Sequence, residues 1–188
     1  MARKEKIHKD FLVDTAFLLA KQEGFENVTA RKLAAKAGCS TQPIFRLYEN
    51  MDDLLAEVYL RAVEYYDYFY NDCQKYNREP FVDLGMAYIK FASEEKELFK
   101  LLFLDNAGSI KEKVGKSMYD ILNGSSGFVT AEFAKAKNFG MKDAQRVFTK
   151  VWIFIHGIAC MTITGDYDLD EILTLDMLKD AARLFSVS

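Results

Sequence analysis

Proline is nearly absent, with two residues in 188, so the chain lacks proline-rich linkers and little interrupts long helices. Cysteine is also scarce. Cys39, Cys73 and Cys160 are odd in number, far apart and without a CxxC pair, which excludes a disulfide framework. They read as reduced packing residues, with thiol sensing as the alternative. With only His8 and His156, no local zinc-ligand spacing exists. No glycine-rich phosphate loop and no nucleophile–base–acid set is present, so the expectation is a non-enzyme with no cofactor. The longest strongly apolar run, Val151 to Ile163, contains His156 and is too short to cross a bilayer. The opening MARKEKIHKDF is basic but lacks the apolar core of a signal peptide. Together these absences predict a cytoplasmic protein with no membrane partner.

Apolar residues make up 50% of the chain and aromatics 14%, enough for a real core. Strand-like alternation never persists, whereas three-to-four spacing recurs throughout, so the fold class expected is all-α. Charge is unevenly placed. Residues 1–50 hold nine Lys/Arg against six Asp/Glu, a surplus of three, whereas residues 51–188 hold sixteen against twenty-two. A positive head on an acidic body suits a protein that meets phosphate with one end only.

The spacing predicts a first helix from about Lys6 to Glu23, stopped by Gly24. Thr29 is a natural N-cap for a helix through Ala37, with Leu33, Ala34 and Ala37 facing inward, and Gly38 supplies the positive φ that ends it. Ser40 is expected to cap a short helix over Thr41 to Tyr48, with Pro43 in its first turn. Asn50, paired with Asp53, starts a long helix to about Tyr76, which NREP at 77–80 breaks. A helical region over Phe81 to Leu104 bends near Ser93-Glu94. After the loop at 105–109, Ile110 to Leu122 reads as one amphipathic helix, and NGSSG at 123–127 as a flexible loop. Helices follow over Phe128 to Phe139, Lys142 to Thr164 and Leu169 to Phe185.

The stretch from Gly24 to Leu55 is the most informative. Two short helices meet at the Ala37-Gly38-Cys39-Ser40 turn, as in DNA-binding helix-turn-helix units. Plain core packing explains Ile44, Leu47 and Tyr48, but it has little use for Thr41, Gln42, Phe45 and Arg46 on the opposite face. Gln suits an adenine edge, Arg a guanine edge, and Thr either a base or a phosphate. Helix N-termini and basic side chains such as Arg31, Lys32 and Lys36 would hold phosphates, the capping residues Thr29 and Ser40 join the expected DNA-binding set, and Arg3, Lys4 and Lys6 could form an arm beside the duplex. The partner expected is double-stranded DNA.

This pattern resembles the N-terminal domain of the TetR/AcrR family of bacterial one-component repressors. The residues that carry the likeness are Gly24-Phe25, Thr29, Leu33-Ala34, Ala37-Gly38, Ser40, Phe45, Asp53 and Leu54-Leu55, at the family's spacing. The resemblance implies a helix-turn-helix domain over residues 1–50 and a helical effector-binding and dimerisation domain over 51–188, in a bacterial cytoplasmic regulator. Three departures stand out. Met51 occupies the usual place of a phosphate-binding Lys. Phe45 and Leu47 replace a common tyrosine pair, and Lys32 replaces the usual acidic partner of the Thr29 cap. Fewer phosphate contacts predict a shallower salt dependence.

In the body, WIFIHG at 152–157 looks like the Trp-X-X-X-His-Gly segment of one subgroup of that family. This implies a small-ligand effector and a homodimer formed through the helices at 142–164 and 169–185. Residues 151–163 are apolar around most of their helix, which independently favours a partner for the second face; a central helix buried within a monomer is the alternative. Tyr65, Tyr66, Tyr88, Phe91 and Phe99 are candidates to line an effector cavity, with Phe103, Tyr119, Trp152 and His156, although aromatic stripes at this spacing usually pack as core. Two further readings stay open. One keeps the DNA head and makes the body a docking module with no small ligand, favoured by an interior without a cavity of about 300 Å³. The other is a helical enzyme or lipid carrier, favoured by a buried, paired His156 and a head without a positive outer face.

Overall fold

The computed structural model describes residues 7–73, 79–104, 107–124, 131, 134, 140–168 and 170–186, and among them helices occur and strands do not. The expected ends at Lys6, Tyr76 and Leu169 lie outside the described residues.

Helix α1 (Lys9–Glu23) buries Leu12, Val13, Ala16, Leu19 and Ala20, one stripe at helical spacing. Gly24 ends it at φ 94 and leads into a single 3₁₀ turn, Phe25–Asn27. Helix α2 (Ala30–Lys36) is capped by Thr29, whose hydroxyl accepts the Lys32 N–H at 3.3 Å. At its end Gly38 takes φ 66, so that Gly38 N–H reaches Ala35 O at 3.3 Å and Cys39 N–H reaches Ala34 O at 3.0 Å. This pair of bonds is a Schellman motif, and it fixes the direction in which the chain leaves α2.

Helix α3 spans Gln42–Leu47, and its cap corrects the sequence expectation. Thr41, not Ser40, holds the N-cap position, and its carbonyl accepts from Ile44 N (3.1 Å) and Phe45 N (3.3 Å). A cap at Ser40 would place Pro43 at the third helical position, where it has no N–H to offer. Helix α4 (Met51–Asp72) follows, with the Asn50 side chain accepting the Asp53 N–H at 3.0 Å. No bond from the Asn50 N–H to the Asp53 side chain completes the box, and Asp53 Oδ1 pairs with Lys113.

Helix α5 (Pro80–Glu94) breaks at Glu95 (φ −122, ψ 51), one residue past the expected bend. A short α6 (Lys96–Phe99) continues into a π-helical turn, Lys100–Leu104. Residues 110–122 are not one helix. They divide into α7 (Ser109–Val114) and α8 (Met118–Asn123), because Gly115 takes φ 68 and Ser117 with Asp120 forms a full capping box. Asn123 therefore ends a helix and is buried, and Gly124 caps it, rather than both belonging to a loop. Of the helix expected over 128–139, Ala131 and Ala134 are helical and the remaining positions lie outside the described residues. Helix α9 (Met141–Thr164) ends at Gly165 (φ 81), and α10 spans Glu171–Ser186.

By its contacts the chain divides into two compact units, Met1–Tyr65 with Glu97–Lys116, and Tyr66–Lys96 with Ser117–Ser188. In the first, α1 packs on the 3₁₀ turn and on α2. In the second, α5, α9 and α10 pack against one another. Gly85 permits this close approach, since a Cβ there would lie 2.8 Å from Leu178 Cδ2 and 3.2 Å from Ile155 Cγ2. Helix α9 as a whole is long and apolar enough to cross a membrane, although its Val151–Ile163 run alone is not. Its buried stripe (Ala144, Val147, Val151, Ile155, Ile158 and Ala159) assigns it instead to the packed helical unit.

Candidate nucleic-acid interface

Helix α3 has two faces. Ile44 is fully buried and Tyr48 nearly so, while Thr41, Gln42, Phe45 and Arg46 are exposed. Burying Ile44 stabilises the unit by roughly 1.5–3 kcal/mol and sets the rotation of the helix, so the outer face follows from the inner one. That face surrounds a shallow depression of about 330 Å³ lined by Gln42, Pro43, Phe45 and Arg46.

Three polar side chains hold the end of α3. The Tyr48 hydroxyl donates to Glu57 Oε2 on α4 at 2.9 Å, and Lys9 on α1 pairs with the other oxygen of the same carboxylate. The Lys9 ammonium also lies 4.7 Å from the centre of the Tyr48 ring. Burial, then the bond to Glu57 and its charge, push the Tyr48 hydroxyl well above a tyrosine's usual range, so it remains a donor. Sequence reasoning missed this arrangement. Its only local signal is that Tyr48 follows the exposed residues of α3 yet turns inward.

Around α3 the expected phosphate contacts differ in readiness. Arg31 and Arg46 are exposed and make no ion pair among the described residues. Lys32 is bound to Glu23 (3.0 Å) and Asn27 (2.7 Å), and Lys36 to Gln22 (2.7 Å). All three contacts are exposed and therefore weak. Thr29 and Ser40 are exposed, and the Thr29 hydroxyl serves its own cap. Arg3, Lys4 and Lys6 lie outside the described residues.

The aromatic candidates of the body fall into separate groups. Tyr65, Phe99 and Phe103 belong to the first unit, where Tyr65 meets Phe17 and Lys21, and Phe99 meets Phe103. In the second unit Tyr66, Tyr88, Phe91, Trp152 and His156 form one chain of ring contacts, and Tyr119 belongs to another with Phe148. Tyr66, Tyr88, Phe91, Phe99 and Phe103 are buried; Tyr65, Tyr119, Trp152 and His156 are half-buried. His156 Nδ1 lies 2.8 Å from the Tyr88 hydroxyl, and burial pulls its pKa down, favouring a neutral ring that accepts the tyrosine proton. The Trp152 indole N–H partly offsets the effect of burial on Tyr88 without itself reaching hydrogen-bond geometry. Cys39, Cys73 and Cys160 are half-buried thiols. Among the described residues no group of three His, Cys, Asp or Glu is placed to hold a metal ion.

Residues 12–58 match the family described as "Bacterial regulatory proteins, tetR family". A solved structure described as "the putative transcriptional regulator from Pseudomonas aeruginosa PAO1" shares the fold. It gives a TM-score of 0.68 over 100% of this chain and 94% of that one, at 15% identity. Among curated proteins none matches the chain significantly. The matched residues are those that bury one face of α3 and present the other, so the N-terminal helices are where the chain is similar to the tetR family of bacterial regulatory proteins.

Proposed function

We propose that the chain is a ligand-responsive transcriptional regulator, acting as a repressor that binds a palindromic operator as a homodimer and leaves it when a small apolar or amphipathic effector binds. Residues 1–50 read DNA, and residues 51–188 dimerise and take the effector. The observation that carries the DNA reading is the exposed quartet Thr41, Gln42, Phe45 and Arg46 on a helix whose other face is anchored by Ile44 and Tyr48. Support for dimerisation comes from the apolar surface of α9 and α10. Ile153, Met161, Ile172, Leu173 and Leu184 are all exposed, beside an open groove of about 700 Å³ lined by residues such as Phe154, Met177 and Phe185. Pairing these helices with their two-fold mates covers that surface and sets two reading helices one helical turn, about 34–36 Å, or a multiple of it, apart.

In this account the effector acts by binding better to a dimer whose reading helices have the wrong separation. By linkage, DNA must then weaken effector binding to the same degree. A second reading keeps the DNA-binding dimer but replaces the effector with a protein partner or with no controlling ligand. The full burial and edge-to-face packing of Tyr66, Tyr88 and Phe91 favour it, because these rings already fill one another's space. The carrier or enzyme reading has a paired His156 in its favour, but the partner is a tyrosine and the outer face of α3 carries exposed cations nearby.

Selection from a random duplex pool at low salt, followed by light scattering, tests the proposal. The expected result is an enriched palindrome bound by a dimer. Failure to enrich any palindrome, or a monomer at micromolar concentration, overturns it.

A further inference from the structure

Phe45 is a large apolar ring set in the middle of a polar reading face. It is 51% exposed, and among the described residues no other ring stacks on it. Gln42 lies one turn before it and Arg46 immediately after it, and with Pro43 these side chains enclose the depression of about 330 Å³. On a surface that meets duplex DNA, such a ring must be covered by something. The floor of the major groove offers hydrogen-bond donors and acceptors at every base pair, and burying a ring against those would strip them of water without replacing it. One apolar group is available there, the methyl on C5 of thymine. Gln42 on the same face suits adenine, the base paired with thymine, so the polar and apolar demands of this face can be met by A·T pairs.

We infer that Phe45 reads a pyrimidine C5-methyl group in each half-site, so that the protein distinguishes thymine from uracil at that position and accepts 5-methylcytosine as a partial substitute for thymine. The inference rests on the DNA reading above. It assigns Phe45 a part in base choice that is separate from the hydrogen bonds of Gln42 and Arg46. The methyl is the whole difference between thymine and uracil, so the comparison changes no base-pairing group.

The test uses the selected operator and the full-length dimer. Each thymine is replaced in turn, in both half-sites, by deoxyuridine, and affinity is measured for the natural protein, Phe45→Ala and Phe45→Leu. One thymine position should cost about fourfold per half-site when its methyl is removed, the size expected for one buried methyl. That cost should vanish in Phe45→Ala and persist in part in Phe45→Leu. In an operator where this thymine is changed to cytosine, methylation at C5 should recover part of the lost affinity for the natural protein, less for Phe45→Leu and none for Phe45→Ala. A flat uracil scan on an operator that is otherwise bound overturns the inference and leaves the DNA reading intact. So does a loss that is unchanged in Phe45→Ala. If no operator can be selected at all, the DNA reading falls and this inference with it.

Discussion

Tyr48 and Glu57 join the end of α3 to α4 through a 2.9 Å hydrogen bond, with Lys9 of α1 closing the set. None of these three lies on the exposed face of α3, yet together they tie α3 to α1 and α4. Tyr48→Phe keeps the buried ring and removes the bond. It should cost about 1 kcal/mol and lower the melting temperature by about 3 °C. Operator affinity should fall as well, while the preferred sequence stays the same, because positioning is loosened and base contacts are untouched. Calorimetry and a band-shift titration check the two halves of this expectation.

Packing in the second unit makes a sharper demand at Gly85. A β-branched side chain cannot turn away from both Leu178 and Ile155, so Gly85→Val should destabilise the protein by roughly 2–3 kcal/mol. Adding Leu178→Ala should recover part of that loss, since it opens space on the crowded side. Urea denaturation of the two single variants and the double variant measures the coupling directly.

Acid should weaken the same unit through His156. Its folded-state pKa is lowered by burial, so its contribution is fully present above the unfolded value near 6.5 and is lost as pH falls through the folded value. Below that window the ring must take a proton and give up its role as acceptor of the Tyr88 hydroxyl. Denaturation at pH 7.5 and 5.5 should show a loss of stability in the natural protein and a smaller loss in His156→Gln.

Ser117 and Asp120 make α8 a separate helix, so Ser117→Ala should cost about 1 kcal/mol, as loss of an N-cap does. Helical content should change little and melting temperature should fall, as circular dichroism with thermal denaturation would show.

What was legible in the sequence is what local chemistry decides. Thr29, Gly38 and Gly24 mark their helix ends because capping and positive φ depend on near neighbours, and the outer face of α3 follows from the spacing of Ile44 and Tyr48. The break at Gly115 carried an S-x-x-D signal, but the apolar spacing across Ile110 to Leu122 masked it. The Ser40 cap failed because Pro43 moves the first available N–H one residue on. The link from Lys9 to Glu57 spans 48 residues, and periodicity says nothing about which exposed charges meet at that distance. Aromatic spacing showed which rings turn inward. Their edge-to-face partners depend on how α4, α5 and α9 cross, which no single segment encodes.

Which face of α3 meets DNA is tested most directly by one variant. Gln42→Ala combined with Arg46→Ala removes two exposed side chains that the folded core does not use. Selection of the double variant against the same random duplex pool should yield no preferred sequence, while its mass in solution and melting temperature stay those of the natural protein. If the double variant instead enriches the same operator with the same preference, the wrong face has been placed against DNA.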